Sequence, residues 1–282
     1  MTKAMSDAAP ESAVPVGGNP LTGLAFAKVY ETVADPLTTP VSILALARLS
    51  PIESGASLLD IAAGTGALAV PAAEQGLAVL GVDLAPGMVE RLAERLQPFD
   101  NAEARIMDGQ SLDVADESYD IVASMFGLQY MKDWKQALSE MLRVLKPGGR
   151  ACIAGWATLD GGPPAGILRQ AFRTALPDVA LPKPSDGMVA LSDPSLLEEG
   201  LVDAGFVEVT LEEVDRTWRA PSGSEYLDAF AEFHSFFPPY AALPEDDRRK
   251  VDEAIVDLTR GLAAGDRLEL PARMLLTMAR KP

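Results

Sequence analysis

An α/β fold, doubly wound around a mostly parallel sheet of seven strands and carrying helical lid insertions, is predicted by three features of the sequence. Short apolar runs alternate with amphipathic helical stretches over about 100 residues, the pattern of repeated strand–helix–strand units. The early strands end on acidic or small polar residues, where such a sheet places its ligands. Apolar residues make up 48% of the 282-residue chain and charged residues 23%, enough apolar material for one large core.

The first strand is read at 57–61 (SLLDI), an apolar run between Gly55 and Gly64. A helix follows at 67–75, with Pro71 suited only to its first turn. The second strand, 77–82, ends at Asp83. Pro86 then opens a helix through Gln97, with Met88, Val89, Leu92 and Leu96 on one stripe. Strands three and four are read at 103–107, ending at Asp108, and at 119–124. A helix at 134–145 presents Leu138, Met141, Leu142 and Leu145, and Lys146-Pro147-Gly148-Gly149 stops it. The fifth strand fits 150–156, and the sixth and seventh fit 206–214 and 273–279. Helices are read at 165–175 and 196–204.

Residues 1–20 hold Pro10, Pro15, Gly17, Gly18 and Pro20 and read as a flexible leader. Residues 21–282 read as one domain. Two proline-rich segments, 157–193 and 222–264, read as cap insertions folding over the strand ends.

Lys and Arg total 24 against 41 Asp and Glu, a net charge of −17. No basic stripe is visible for a phosphate backbone, so no nucleic-acid partner is expected. One cysteine, Cys152, excludes an internal disulfide and a multi-cysteine zinc site, and it reads as a small buried hydrophobe. One histidine, His234, excludes a His-rich metal site. No apolar run approaches the ~18 residues of a membrane span, and Lys3 is followed by no apolar stretch of signal-peptide type. A reducing cytoplasm is the expected compartment.

The segment Leu58-Leu59-Asp60-Ile61-Ala62-Ala63-Gly64-Thr65-Gly66 joins the first strand to the first helix. Its glycines allow a tight turn and close approach of a ligand, though a plain turn would use them too. Gly64 to Ala69 also fits the permissive dinucleotide form G-x-G-x-x-A. Two features oppose a dinucleotide. Asp60 would lie close to a pyrophosphate, whereas it suits a cationic ammonium. Asp108 adds a third acidic strand end. The pattern asks for a nucleoside with a cationic amino-acid tail, the chemistry of S-adenosylmethionine.

At these residues the chain resembles the class I S-adenosylmethionine-dependent methyltransferases, most closely their ubiquinone/menaquinone-biosynthesis-like small-molecule branch. The matching stretches are LLDIAAGTG (58–66), VLGVDLAPGMVERLAER (79–95), ARIMDGQSLDVADESYDIV (104–122) and EMLRVLKPGGR (140–150). The first loop glycine of the family is Ala62 here. The resemblance implies a Rossmann-like fold and S-adenosylmethionine as cofactor, with S-adenosylhomocysteine as product. It implies that Asp60 and the backbone at Ala62, Gly64 and Gly66 hold the methionine part, and that Asp83 takes the ribose hydroxyls. Leu84 and Met88 would flank the adenine, with Asp108, Gly109 and Gln110 at its amino edge. Ser124 and Phe126 would line the transfer site, and Tyr30 would close over the cofactor.

For the acceptor, Tyr130, Trp156, Phe233, Phe237 and Tyr240 could form a flat apolar pocket. His234 is the candidate base or substrate anchor facing the methyl group. Phe237-Pro238-Pro239-Tyr240 resembles the loop of DNA amino-methyltransferases, but that loop must follow the fourth strand, where Ser124-Met125-Phe126-Gly127 stands. Asp133 alone is insufficient for a catechol-type magnesium site, so no metal is expected. The expected partner is a small-molecule acceptor, methylated on oxygen, carbon or nitrogen, with a homodimer as the candidate oligomer. The alternatives are a cyclisation or rearrangement on the same fold without methyl transfer, and a non-enzymatic nucleoside-binding module.

Overall fold

The apolar runs of the sequence become the centre of a seven-stranded sheet in a computed structural model that describes residues 19–282; the expected leader, up to residue 18, lies outside the described residues. The strands are β1 (Ser57–Ile61), β2 (Ala78–Asp83), β3 (Ala102–Ile106), β4 (Tyr119–Met125), β5 (Leu145–Trp156), β6 (Val207–Pro221) and β7 (Arg267–Arg280). Their order is β3-β2-β1-β4-β5-β7-β6. The first five are parallel, and β7 runs antiparallel between β5 and β6. The order reverses at β1, so the switch point lies between β1 and β4, beside the glycine loop.

The helices are α1 (Leu24–Leu49), α2 (Ala69–Glu74), α3 (Pro86–Leu96), α4 (Trp134–Val144), α5 (Pro163–Ala175), α6 (Asp186–Ser192), α7 (Pro194–Ala204), α8 (Gly223–Ser235), α9 (Pro238–Ala241) and α10 (Glu245–Leu262). Apolar side chains bury on both faces of the sheet. Leu58 joins one core with α1 to α3 and the cap helices; Leu59 and Ile61 join the other with α4, α6 and α7. This is why the parallel strands read as continuous apolar runs rather than as alternating ones.

Three differences from the sequence reading have physical causes. Lys146-Pro147-Gly148-Gly149 does more than stop α4. It forms a bulge within β5, between the pairs Tyr119–Leu145 and Ile121–Arg150. Helix α2 starts two residues later than read, because the loop needs Gly66 at φ +99°. Strands β6 and β7 continue well beyond the sheet as a two-stranded ribbon, pairing from Val207 to Pro221. Val214, Trp218 and Ala220 point inward along it, and the Arg219 guanidinium meets Glu269 at 2.8 Å on its outer side. The ribbon carries α8 to α10, which fall in the segment read as the second insertion, and α5 and α6 fall in the segment read as the first.

Candidate functional site

The site begins at the buried end of β1. Asp60 is 1% exposed, and neither carboxylate oxygen has a hydrogen-bond partner. Burial pushes its pKa up to about 8; the Ala69 backbone N–H opposes that shift without completing a hydrogen bond, and nearby Asp83 adds to it. An orphaned buried carboxylate is costly to the free protein, and a cationic ligand would relieve the cost. That fits an ammonium group.

Above Asp60 the loop turns through three left-handed residues, Ala62 (φ +55°), Gly64 (φ +56°) and Gly66 (φ +99°). Ala62 therefore holds the strained conformation that a glycine adopts freely. Its Cβ abuts Gly127, where an added Cβ would come within 2.3 Å of it. Asp83 closes the loop from β2. One of its oxygens accepts from the Gly64 amide and the other from the Ala85 amide, both at 2.9 Å. Burial raises its pKa, opposed by those amides. The carboxylate is thus fixed in orientation before any ligand arrives, and each oxygen keeps a lone pair for a hydroxyl.

Tyr30 on α1 lies over this loop: a Cβ on Gly64 would stand 3.9 Å from its ring. Burial raises its hydroxyl pKa, and the charges of Tyr130, Asp35 and Asp83 add to that shift. The sequence reading missed what holds it there. Glu31 meets Arg91 at 2.5 Å, Asp35 meets Arg95 at 2.6 Å, and Arg95 also donates to the Thr65 carbonyl at 2.8 Å. The Thr65 hydroxyl donates to Asp35 at 3.1 Å. Two acids four apart on α1 and two arginines four apart on α3 form the clamp, and that spacing was the available signal. Phe26, one turn before Tyr30, meets Phe236 of the cap at 5.2 Å between ring centres.

Leu84 is 58% exposed and Met88 is buried, so β2 and α3 offer one accessible and one buried side chain beside the loop. Asp108 and Gln110 brace each other. The Gln110 amide and carboxamide donate to Asp108 at 2.9 and 3.0 Å, while its carbonyl oxygen accepts from the Asp133 amide at 2.7 Å. Gly109 is buried against Ile61 and Met131. At the end of β4, Ser124 is buried and its hydroxyl accepts from the Leu128 amide at 3.1 Å. Phe126 is buried at φ +62°, its ring 4.9 Å from that of Trp156. Gln129, which the sequence reading missed, ties this corner together. It donates to the Phe126 carbonyl at 3.1 Å and accepts from the Trp156 amide at 3.2 Å.

On the acceptor side, Tyr130 is 63% exposed, yet surrounding protein raises its pKa. Phe237 lies 6.1 Å from Phe172 on α5, and Tyr240 is 6.4 Å from the same ring. Tyr240 is buried, with its hydroxyl on Asp252. Phe233 is partly buried on α8 beside His234.

His234 lies inside the helices mounted on the ribbon. It is 0% exposed, ringed by Tyr226, Phe230, Phe233 and Tyr240 with centroids 5.8 to 6.4 Å away. Neither ring nitrogen has a partner. Its apolar surroundings lower its pKa to about 4, so at neutral pH its ring is uncharged. The helical periodicity of α8 turns it inward. A His234→Phe variant is expected to keep kcat within about twofold of wild type. It should also lose part of the acid sensitivity of the fold. A folded-state pKa near 4 means stability present above the unfolded value of 6.5 and lost as the pH falls toward 4, by up to about 3 kcal/mol. Urea unfolding at pH 5 and pH 7 checks this.

A methyltransferase-domain family model matches residues 59–153, the stretch from β1 to β5 that contains the loop and three of the acidic strand ends. A demethylmenaquinone methyltransferase from Renibacterium salmoninarum is 33% identical over 165 residues, covering 55% of this chain and 68% of that protein. The chain belongs to the class I S-adenosylmethionine-dependent methyltransferases, of the quinone-biosynthesis type. Its cofactor is S-adenosylmethionine. The chain spans about half the length of other curated relatives that it matches. Among solved structures, Haemonchus contortus phosphoethanolamine N-methyltransferase 2 with S-adenosylhomocysteine superposes with a TM-score of 0.60 at 19% identity, over 95% of this chain and 60% of that one. The [4+2]-cyclase SpnF superposes with a TM-score of 0.54 at 21% identity, over 86% and 81%. Both likenesses concern the methyltransferase fold. No helix among the described residues is long and apolar enough to cross a membrane.

Proposed function

We propose that this methyltransferase acts on a small, flat organic acceptor, with Asp60 anchoring the cofactor and the cap aligning the acceptor. The observation that carries the reading is Asp60: a buried carboxylate without a partner, beneath a left-handed glycine loop and a tyrosine lid. When bound, S-adenosylmethionine supplies an electrophilic methyl group on a sulfonium. The residues of the chain then have three tasks. Asp60 takes the ammonium group, and Asp83, already oriented by two amides, takes the ribose hydroxyls. Met88 and Leu84, with Asp108, Gly109 and Gln110, frame the adenine. Tyr30, Ser124, Phe126 and Trp156 line the transfer side, and Tyr130 and Phe237 take the ring of the acceptor. Holding reactants in line accounts for most of the rate in such a displacement, and no base is required of the chain. The acidic balance of the chain supports an acceptor other than nucleic acid, and a cytoplasmic setting accords with its single cysteine.

Incubation with S-adenosylmethionine and a panel of phenols, quinols and aromatic acids is the test, read by mass spectrometry. A product heavier by one methylene, with one S-adenosylhomocysteine per product, supports the reading. The fold shared with a cyclase favours a second reading, turnover that leaves the cofactor intact. Product without S-adenosylhomocysteine would establish it.

A further inference from the structure

Arg169 lies on α5, and its chemistry is unspent. Of its five N–H donors one is used, at 3.2 Å to the Pro182 carbonyl. No carboxylate lies within 4 Å of it among the described residues, although the chain carries 41 acids. Its neighbour one turn on, Arg173, is paired with Asp160 at 2.9 Å. The Arg169 guanidinium carbon lies 5.8 Å from the centre of the Phe237 ring. Phe236, beside Phe237, meets Phe26 at 5.2 Å between ring centres, and Phe26 meets Tyr30 at 5.7 Å. A line of aromatic side chains therefore runs from Tyr30 over the cofactor loop through Phe26 and Phe236 to Phe237 and the half-buried Arg169, whose charge also lowers the pKa of the Tyr130 hydroxyl.

We propose that Arg169 selects the acceptor by taking an anionic group on it, so that the acceptors of this enzyme are aromatic carboxylates whose ring packs on Phe237 and Tyr130. The inference rests on the reading of this cleft as the acceptor site. A guanidinium beside aromatic rings binds a planar carboxylate in bidentate fashion, and the low-polarity rings strengthen that attraction. Arg169 would act as a specificity-determining residue, distant from the reacting atoms.

The test is calorimetry on the full chain saturated with S-adenosylhomocysteine, titrated with a matched pair, 2-naphthoate and 2-naphthylmethanol. The naphthoate is expected to bind about tenfold more tightly or better in the wild type. In Arg169→Gln that ratio should fall to about one, with naphthylmethanol and S-adenosylhomocysteine affinities unchanged. Arg169→Lys should keep part of the preference. An equal affinity for the two compounds in the wild type, binding of neither, or a preference that survives in Arg169→Gln overturns the proposal. Failure of the wild type to bind S-adenosylhomocysteine would instead count against the cofactor site. The pair is then titrated into the free protein, where the same ratio decides.

Discussion

Asp60→Asn is expected to weaken S-adenosylhomocysteine binding by on the order of a hundredfold, and to make the free protein more stable at neutral pH. Both effects follow from one observation, a fully buried carboxylate with no partner. Removing one member of a buried charge pair costs ~2–5 kcal/mol of binding. The stability effect has the opposite sign. The folded-state pKa of Asp60 is raised to about 8, so its favourable contribution is complete below the unfolded value of 3.8 and declines as the pH rises toward 8. The wild type therefore loses about 1.4 kcal/mol per pH unit relative to the variant across that window. Chemical denaturation of both proteins at pH 5, 6.5 and 8 measures the gap. A gap that stays constant with pH would mean that Asp60 is not protonated in the free fold. His234 pulls the other way in acid, because it is buried neutral.

Gly87→Ala carries the second large effect. Gly87 lies in the first turn of α3, where the start of α1 crosses it. A Cβ there would stand 2.1 Å from the Gly23 carbonyl carbon and 2.3 Å from the Leu24 amide nitrogen. Those atoms are backbone and cannot rotate away, so α1 must shift. Overpacking of this kind costs roughly 1–3 kcal/mol, a fall of several degrees in Tm for a chain of this size. The shift would reach function, because α1 carries Tyr30 and the acids clamped by Arg91 and Arg95. Weaker S-adenosylhomocysteine binding should accompany the fall in Tm. An unchanged melting curve would show that the contact relaxes freely.

Much of the fold was legible because parallel strands buried on both faces leave unbroken apolar runs, such as Leu58-Leu59 and Val79-Leu80. The acidic strand ends were legible for a related reason: Asp60, Asp83 and Asp108 each follow such a run. What escaped the sequence depends on partners distant in the chain. The α1–α3 clamp spans 60 residues between Glu31 and Arg91, and its acids look like any helix surface. Nothing local marks Gln129 as buried. His234, the single histidine, drew attention by its chemistry, yet its position on α8 turned it into the aromatic core of the cap. Arg169 was invisible for the opposite reason. Its significance lies in a missing partner, which only the packed structure reveals. The ribbon extension of β6 did leave a trace, the inward alternation of Val214, Trp218 and Ala220, interrupted by exposed charges.

Cofactor binding is expected to exchange the proton of Asp60 for the ammonium group of the ligand. Calorimetric titration of S-adenosylhomocysteine, in two buffers of different ionisation enthalpy at pH 6.5, tests it directly. Asp60 is then protonated in the free protein and the ligand ammonium is charged. Release of about one proton per ligand bound is expected, with an affinity that rises about tenfold per pH unit from pH 6 toward 8. Binding with no proton released and no dependence on pH across that range would contradict it.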